Sequence, residues 1–282
     1  MRIDLHAHTR ASDGTDSPAA LVRAAARAGL DVVAITDHDT TLGWAEAAAA
    51  LPPGLALVRG AEISCRYRDV SLHLLGYLFD PVAPELADAL AAVRDSRVPR
   101  THAIVDRLRA AGVDVSWDDV LARVEDGATV GRPHIADALV ANGVVKDRGE
   151  AFGDLLNSRS RFYVRHDALD PLVAIRAVRA AGGVPVLAHP FARRRGAVLD
   201  DSAIVAMASA GLAGLEVHHR DHSEADISRL LGLAAELGLL VTGSSDYHGR
   251  GKANLLGEHY TTPEALDALA AQACGGIEVL HG

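Results

Sequence analysis

The sequence predicts an α/β protein of the parallel β/α type, interrupted by a helical insert. Three observations carry that expectation. Short apolar runs alternate with amphipathic stretches over residues 1–80 and again after residue 170, whereas the stretch between them has helical periodicity and no strand of the same kind. Nearly every expected strand also delivers a His, Asp or Glu at or just beyond its C-terminal end. The first pattern is the rhythm of a parallel sheet with crossover helices. The last marks the end where β/α barrels assemble active sites from several strands.

In chain order, residues 2–5 read as the first strand. Ser17-Pro18 supplies a helix N-cap and a first-turn proline, and Leu21, Val22, Ala25 and Ala28 then share one helical face until Gly29. Residues 31–36 form the second strand, followed by an Ala-rich helix over 42–51 and a Pro52-Pro53-Gly54 break. Residues 55–63 and 70–78 are the third and fourth strands. After Asp80-Pro81 helices are expected over 84–111, 117–124, 133–142 and 148–156, which makes 81–166 an insert between barrel segments 1–80 and 167–282. Alternation resumes with helices over 171–182, 201–210, 223–237 and 263–272 and strands over 184–188, 215–217 and 239–242.

Composition narrows the function classes. With 282 residues, 49% of them hydrophobic and 23% charged, the chain can bury a sizeable core. A net charge of −9 argues against affinity resting on a broad basic surface, so neither long nucleic acid nor a membrane is an expected partner. No signal-like N-terminus and no run of 18 uncharged apolar residues occurs, which points to the cytoplasm. Cys65 and Cys274 suggest neither a disulfide framework nor a thiolate zinc site. The unusual number is 14 histidines.

Their placement is chemical. His6-Ala7-His8 leaves the first strand, and on extended backbone both imidazoles point to one side, where they can share a metal. Two surface histidines would be the bland reading of that pair alone. However, Asp13 follows in the loop, Asp37-His38-Asp39 ends the second strand, Glu62 ends the third and His73 starts the fourth. His189 ends the strand at 184–188, and Asp246 and His248 follow the strand at 239–242. Imidazoles and carboxylates without thiolates suit manganese, iron or zinc, and a bridging carboxylate commonly holds two ions about 3.5 to 4 Å apart.

Asp4-Leu5-His6-Ala7-His8-Thr9 with Ser12-Asp13-Gly14, Ile35-Thr36-Asp37-His38-Asp39, Gly60-Ala61-Glu62, His73-Leu74-Leu75-Gly76-Tyr77, Ala188-His189-Pro190 and Ser245-Asp246-Tyr247-His248-Gly249 resemble, in order, the motifs of the polymerase and histidinol phosphatase (PHP) family. The resemblance spans residues 3–249. It implies a distorted (β/α)7 TIM-like barrel with two to three divalent metal ions, manganese first, iron or zinc as alternatives. By motif position, His6, His8, Glu62 and Asp246 would hold the first ion. Glu62 would bridge to a second held by His73 and His189, and Asp13, His38 and His248 would hold the third. Many relatives carry His where this chain has Asp13.

The insert adds a second resemblance. Gly131-Arg132-Pro133-His134-Ile135-Ala136 is similar to a motif of the branch that removes phosphate from nucleotides, among them 3′,5′-bisphosphonucleosides and nucleoside monophosphates. Pro133 would start a helix whose N-terminus, with Arg132 and His134, faces a phosphate. The alternative is that both side chains decorate an exposed cap. Arg193-Arg194-Arg195 follows His189, with Arg194 taken as the substrate contact, although Phe191-Ala192 stands where relatives commonly have Gly-Arg. His222 matches a substrate-contact position, His218 and His219 are either contacts or structural, and His102, His166, His259 and His281 read as surface residues.

These readings converge on a metal-dependent phosphoesterase that hydrolyses a phosphate monoester of a small nucleotide through a metal-activated hydroxide, with Arg132 neutralising phosphoryl oxygens. His222, His134 or a metal-held water is left to protonate the leaving group. No obligate protein partner is implied. The alternatives are a 5′-to-3′ exonuclease on short oligonucleotides, a histidinol-phosphate phosphatase and a non-catalytic metal-binding module.

Overall fold

The computed structural model describes every residue except 166, so the surface placement expected for His166 lies outside the described residues. Seven strands line up in sequence order and curl into a nearly closed barrel. They are β1 (Ile3–Asp4), β2 (Val32–Ile35), β3 (Ala56–Tyr67), β4 (Val70–Tyr77), β5 (Val184–Ala188), β6 (Gly214–His218) and β7 (Leu240–Gly243), with the short β8 (Leu280–His281) pairing onto β3. Closure comes from the chain just beyond β7, because the His8 N–H donates to the Tyr247 carbonyl at 2.8 Å and the Tyr247 N–H donates to the His6 carbonyl at 3.3 Å.

The expectation of a parallel sheet holds for β1–β2–β3 and β5–β6–β7 but fails in between, where β4 runs antiparallel to both neighbours. The reason is chain length. A parallel crossover takes a dozen or more residues, and only Arg68 and Asp69 separate β3 from β4. They form a tight hairpin with Arg68 at φ 53°, and both strands outgrow the barrel rim as a ribbon.

Helices cover the outside. The helix α1 (Pro18–Arg27) starts as expected, with the Ser17 side chain accepting from the Ala20 N–H, and it buries Leu21, Val22 and Ala25. The next, α2 (Trp44–Ala49), is two residues shorter at each end than expected. Further along, α7 (Pro171–Ala180), α8 (Asp201–Ser209), α9 (Glu224–Leu237) and α10 (Pro263–Ala270) complete the layer. Between β4 and β5 lie α3 (Pro84–Ala110), α4 (Trp117–Leu121), α5 (Arg132–Ala141) and α6 (Arg148–Asp154), whose apolar residues, among them Leu108, Val120, Ile135 and Leu139, form a cluster of their own. This segment touches the β1–α1 loop directly, through Arg148 to the Asp13 carbonyl at 3.0 Å and the Thr129 N–H to the Ala11 carbonyl at 3.0 Å. Among the described residues no helix is long and apolar enough to cross a membrane.

The two faces of the strands explain why polar chemistry collects at one end. Alternate residues (Val33, Ile35, Leu57, Ile63, Leu215) pack under the helices, while Val32, Ala34, Val58, Leu75 and Tyr77 fill the inside with Ile3 and Leu5. On β3 and β4 the inward face continues past this plug into Glu62 and His73.

Candidate metal centre

All nine expected ligands converge at one rim of the barrel. Glu62 sits at the middle, fully buried within β3 rather than at its end, because β3 runs four residues further than expected. Its Oε1 lies 2.9 Å from His73 Nδ1 and 3.0 Å from His189 Nε2, and its Oε2 lies 3.1 Å from both His8 Nε2 and His38 Nδ1. Asp246 Oδ1 lies 3.4 Å from His8 Nε2 and 3.6 Å from His6 Nε2. Asp13 Oδ1 approaches His248 Nε2 at 3.3 Å.

Local folding puts them there. The loop after β1 doubles back so tightly that a Cβ on Gly14 would sit 2.9 Å from Thr9 Cα, which brings Asp13 back beside His8. Asp37 pins that loop by accepting from the Thr9 N–H, the Thr9 hydroxyl and the Ser12 hydroxyl, each at 2.7 Å. Its oxygens are thus committed to the backbone turn. His189 (φ 27°) and Asp246 (φ 53°) take left-handed backbone conformations that L-residues adopt sparingly, as functional sites often require.

The donor atoms fall into four groups able to hold an ion: His6, His8, Glu62 and Asp246; His8, Asp13, His38 and His248; His38, Glu62 and His73; and His6, His189 and Glu216. The first matches the set implied by the resemblance, and the second adds His8 to the expected third set. In the others, His38 joins Glu62 and His73, while His189 faces His6. Several ring and carboxylate atoms here, namely His38 Nδ1, His73 Nδ1, His248 Nε2 and Asp246 Oδ1, are buried and lie close to opposite groups without the alignment of a hydrogen bond among the described residues. Buried polar atoms normally find partners. Their convergence is what a divalent-cation site requires, and the donor set, rich in imidazole and carboxylate, fits such ions.

The charges tell the same story. Burial, reinforced by the Arg195 guanidinium, pushes His189 down to about 3, and burial with Lys252 and His8 nearby pushes His248 down to about 4. His8 moves the other way, up to about 9, because the Asp246 and Glu62 carboxylates outweigh its burial. An unfolded histidine titrates near about 6.5. Below that pH the unfolded chain takes protons that His189 and His248 refuse, so they stabilise the fold above about pH 6.5 and lose that contribution on acidification. His8 contributes fully below about pH 6.5 and loses its share as pH rises towards 9. The melting temperature of EDTA-treated protein should therefore be highest near pH 6.5 and lower at both pH 5 and pH 8.5. A monotonic profile would contradict these assignments.

The substrate-side expectations fare differently. Both ring nitrogens of His222 are used internally, Nδ1 donating to the Val217 carbonyl at 2.8 Å and Nε2 accepting from the Phe191 N–H at 3.2 Å. This corrects its expected role, since a neutral ring so bound has no nitrogen left for substrate or proton transfer. His219 replaces it at the rim: its Nδ1 accepts from the Asp221 N–H, and Nε2 faces Asp246 at 3.6 Å. Of the three consecutive arginines, Arg194 is exposed beside an open cleft with Arg220 and His222, while Arg195 reaches the cluster, 2.6 Å from Asp246 and 3.1 Å from His189 Nε2. Lys252 adds a second cation, 3.1 Å from Asp246.

His134 is buried rather than exposed, and its Nδ1 accepts from the Gly131 N–H at 3.1 Å. Burial lowers its pKa, which favours the neutral ring that caps the helix start. Arg132 donates to the Leu156 carbonyl at 2.8 Å and lies over the Phe152 and Tyr163 rings. Around it the structure gathers two arginines that sequence reasoning did not single out. Arg97 forks onto Asp39 and Ser64, and Arg100 donates to the Val164 carbonyl and lies over Tyr163. Burial, with Arg132 next to it, pushes Arg100 down to about 9. Among the described residues neither Arg100 nor Arg132 pairs with a carboxylate, so a buried cluster of guanidinium groups lies next to the rim, linked to it by Arg97 through Asp39 and Ser64. Of the remaining histidines, His102 and His281 are exposed as expected, and His259 is partly buried.

A β/α barrel that gathers nine imidazole and carboxylate side chains at one rim, beside a cluster of buried guanidinium groups, is the arrangement of a metal-dependent phosphoesterase. The chain belongs to the PHP family. A family profile described as "PHP domain" matches residues 4–109. The chain is 35% identical over 252 residues to the 3′,5′-nucleoside bisphosphate phosphatase of Chromobacterium violaceum, covering 89% of this chain and 88% of that protein. It is 33% identical to a 5′-3′ exoribonuclease of Haemophilus influenzae, with 88% and 90% covered. Its fold matches the crystal structure of a candidate metal-dependent phosphoesterase from Bifidobacterium adolescentis, with a TM-score of 0.92, 43% identity and 96% of each chain covered.

Proposed function

We propose that the protein removes a phosphate monoester from a small nucleotide bearing a second phosphate, such as a 3′,5′-bisphosphonucleoside, or from an AMP-like monophosphate. The observation that carries this reading is the juxtaposition of two sites of opposite demand: orphaned ligand atoms that call for cations, and buried guanidinium groups that call for an anion. Nine residues, His6, His8, Asp13, His38, Glu62, His73, His189, Asp246 and His248, would hold two to three divalent ions, with manganese the first choice. Bound there, the ions activate water and neutralise the phosphoryl oxygens.

The chain's own residues do the rest. Arg100 and Arg132, supplied by the helical segment 81–166, hold the non-reacting phosphate, and burial strengthens each charge-assisted contact. Arg195 and Lys252 sit beside Asp246, placed to meet oxygens of the phosphate that reacts. His219 offers Nε2–H on the same side. The similarity to exoribonucleases keeps a second reading in view, trimming of short oligonucleotides from the 5′ end, for which the open cleft beside Arg194, Arg220 and His222 provides room.

A panel tests both readings: a nucleoside 3′,5′-bisphosphate, AMP, histidinol phosphate and a 5′-phosphorylated trinucleotide, each with manganese. The bisphosphate should have the highest kcat/KM, and a preference for the trinucleotide would favour the exonuclease. Metal analysis tests the centre separately. Asp13 belongs to one ligand group only, so Asp13→Ala should release one equivalent and leave the others bound. Loss of every ion in that variant would refute a partition into distinct sites.

A further inference from the structure

The last carboxylate at the rim, Glu216 on β6, was not anticipated from the sequence, and its geometry differs from that of the others. It is fully buried, and both of its oxygens are taken by protein donors. Oε1 accepts from His6 Nδ1 at 2.9 Å, and Oε2 accepts from the His189 N–H at 2.7 Å. One side chain therefore ties the segment after β1 to the segment after β5 across the barrel. His6 turns its other nitrogen into the cluster, where Nε2 lies 3.0 Å from His8 Nε2, 3.4 Å from Glu62 Oε2 and 3.6 Å from Asp246 Oδ1.

We infer that Glu216 is a positioning residue for the metal centre and not a ligand: it fixes the His6 proton on Nδ1 so that the Nε2 lone pair faces the ion, and it holds His189 through its main chain. This rests on the metal reading above. Glu216 could itself be counted as a ligand with His6 and His189, but a carboxylate already bound to two donors would have to give up one of them to coordinate. Ligand histidines commonly pass their second N–H to a carboxylate in this manner, and losing that carboxylate weakens metal affinity about 10- to 100-fold.

The isosteric Glu216→Gln separates the possibilities. The His189 main-chain N–H can only donate, so the amide oxygen must face it, which turns the amide NH2 towards His6 Nδ1. That nitrogen must then accept, and the ring proton moves to Nε2, the nitrogen that faces the other ligands. Two readouts follow. In metal-free protein labelled with ¹⁵N-histidine, recorded at a pH high enough for the His6 ring to be neutral because the Glu216, Glu62 and Asp246 carboxylates raise its pKa, the His6 resonances should switch from an Nδ1–H to an Nε2–H tautomer. In Mn²⁺ titration calorimetry, one equivalent should bind about 10- to 100-fold more weakly. Glu216→Asp, which keeps two acceptor oxygens, should retain the wild-type tautomer and lose less affinity, and it serves if the glutamine variant folds poorly. An unchanged tautomer with unchanged Mn²⁺ affinity would overturn the inference. So would loss of a whole equivalent without a tautomer switch, since that would make Glu216 a ligand. Wild-type protein that binds no Mn²⁺ would instead overturn the metal reading, and the tautomer measurement, made without metal, still decides the positioning role.

Discussion

Glu62→Ala should abolish turnover and release more than one equivalent of metal. Its two oxygens lie within 3.1 Å of ring nitrogens from His8, His38, His73 and His189, which arrive from four different segments of the barrel. Removing a carboxylate shared between ions forfeits several kcal/mol of transition-state stabilisation, or roughly a thousand-fold or more in kcat/KM. Elemental analysis of the purified variant, beside its rate on a nucleoside 3′,5′-bisphosphate, checks both parts. Full metal content in this variant would show that Glu62 does not bridge.

The second large effect is expected outside the metal cluster. Arg132→Ala should lower kcat/KM for a nucleoside 3′,5′-bisphosphate by about 10- to 150-fold, the equivalent of roughly 1.5 to 3 kcal/mol for a lost charge-assisted contact. Metal content should not change, because a guanidinium is a cation with no acceptor to offer an ion. The control substrate is p-nitrophenyl phosphate. It has no second phosphate to reach the pocket, so its rate should fall much less. Equal losses on both substrates would place Arg132 at the transferred phosphoryl group, and unchanged rates on both would remove the guanidinium pocket from substrate binding. Arg132 also carries the Leu156 carbonyl and packs on Phe152 and Tyr163, so the melting temperature of the variant should be recorded alongside.

What the sequence disclosed and what it hid follow a physical division. The side chains that meet at the rim were legible because most lie in short motifs just after a strand, and strand ends on one side of a barrel must meet; Glu62 and His73 lie within β3 and β4 instead. The hairpin was misread although its signal was present, since two adjacent strands without a dozen residues between them cannot be parallel. Glu216 carried no signal of its own beyond a lone acid in an apolar run, and its partners His6 and His189 lie 210 and 27 residues away. Arg97 and Arg100 could have been noticed. They fall on the buried stripe of α3 with Leu90, Val93, Ile104 and Leu108, where a cation is costly unless an anion or a function accounts for it. The roles of His222 and Arg194 could not be read, because which nitrogen of a ring is engaged, and which of three consecutive arginines turns inward, depends on packing distant in the chain.

The hairpin also constrains how such a chain can vary. Glu62 faces Leu75 and Ser64 faces His73 across the β3–β4 ladder, so Glu62 and His73 lie on one side of the ribbon only while the number of residues between them keeps its parity. Deleting one residue from the Arg68-Asp69 turn, which has no slack, or adding one within either strand between Glu62 and the tip or the tip and His73, would roll one of the two outward and leave the other in place. Changes in length there should survive only in pairs, or as extra loop at the tip that leaves the ladder untouched. The ribbon thus acts as a counting device, and among descendants of this fold its tip should drift freely in composition and length while the stems beneath it keep step.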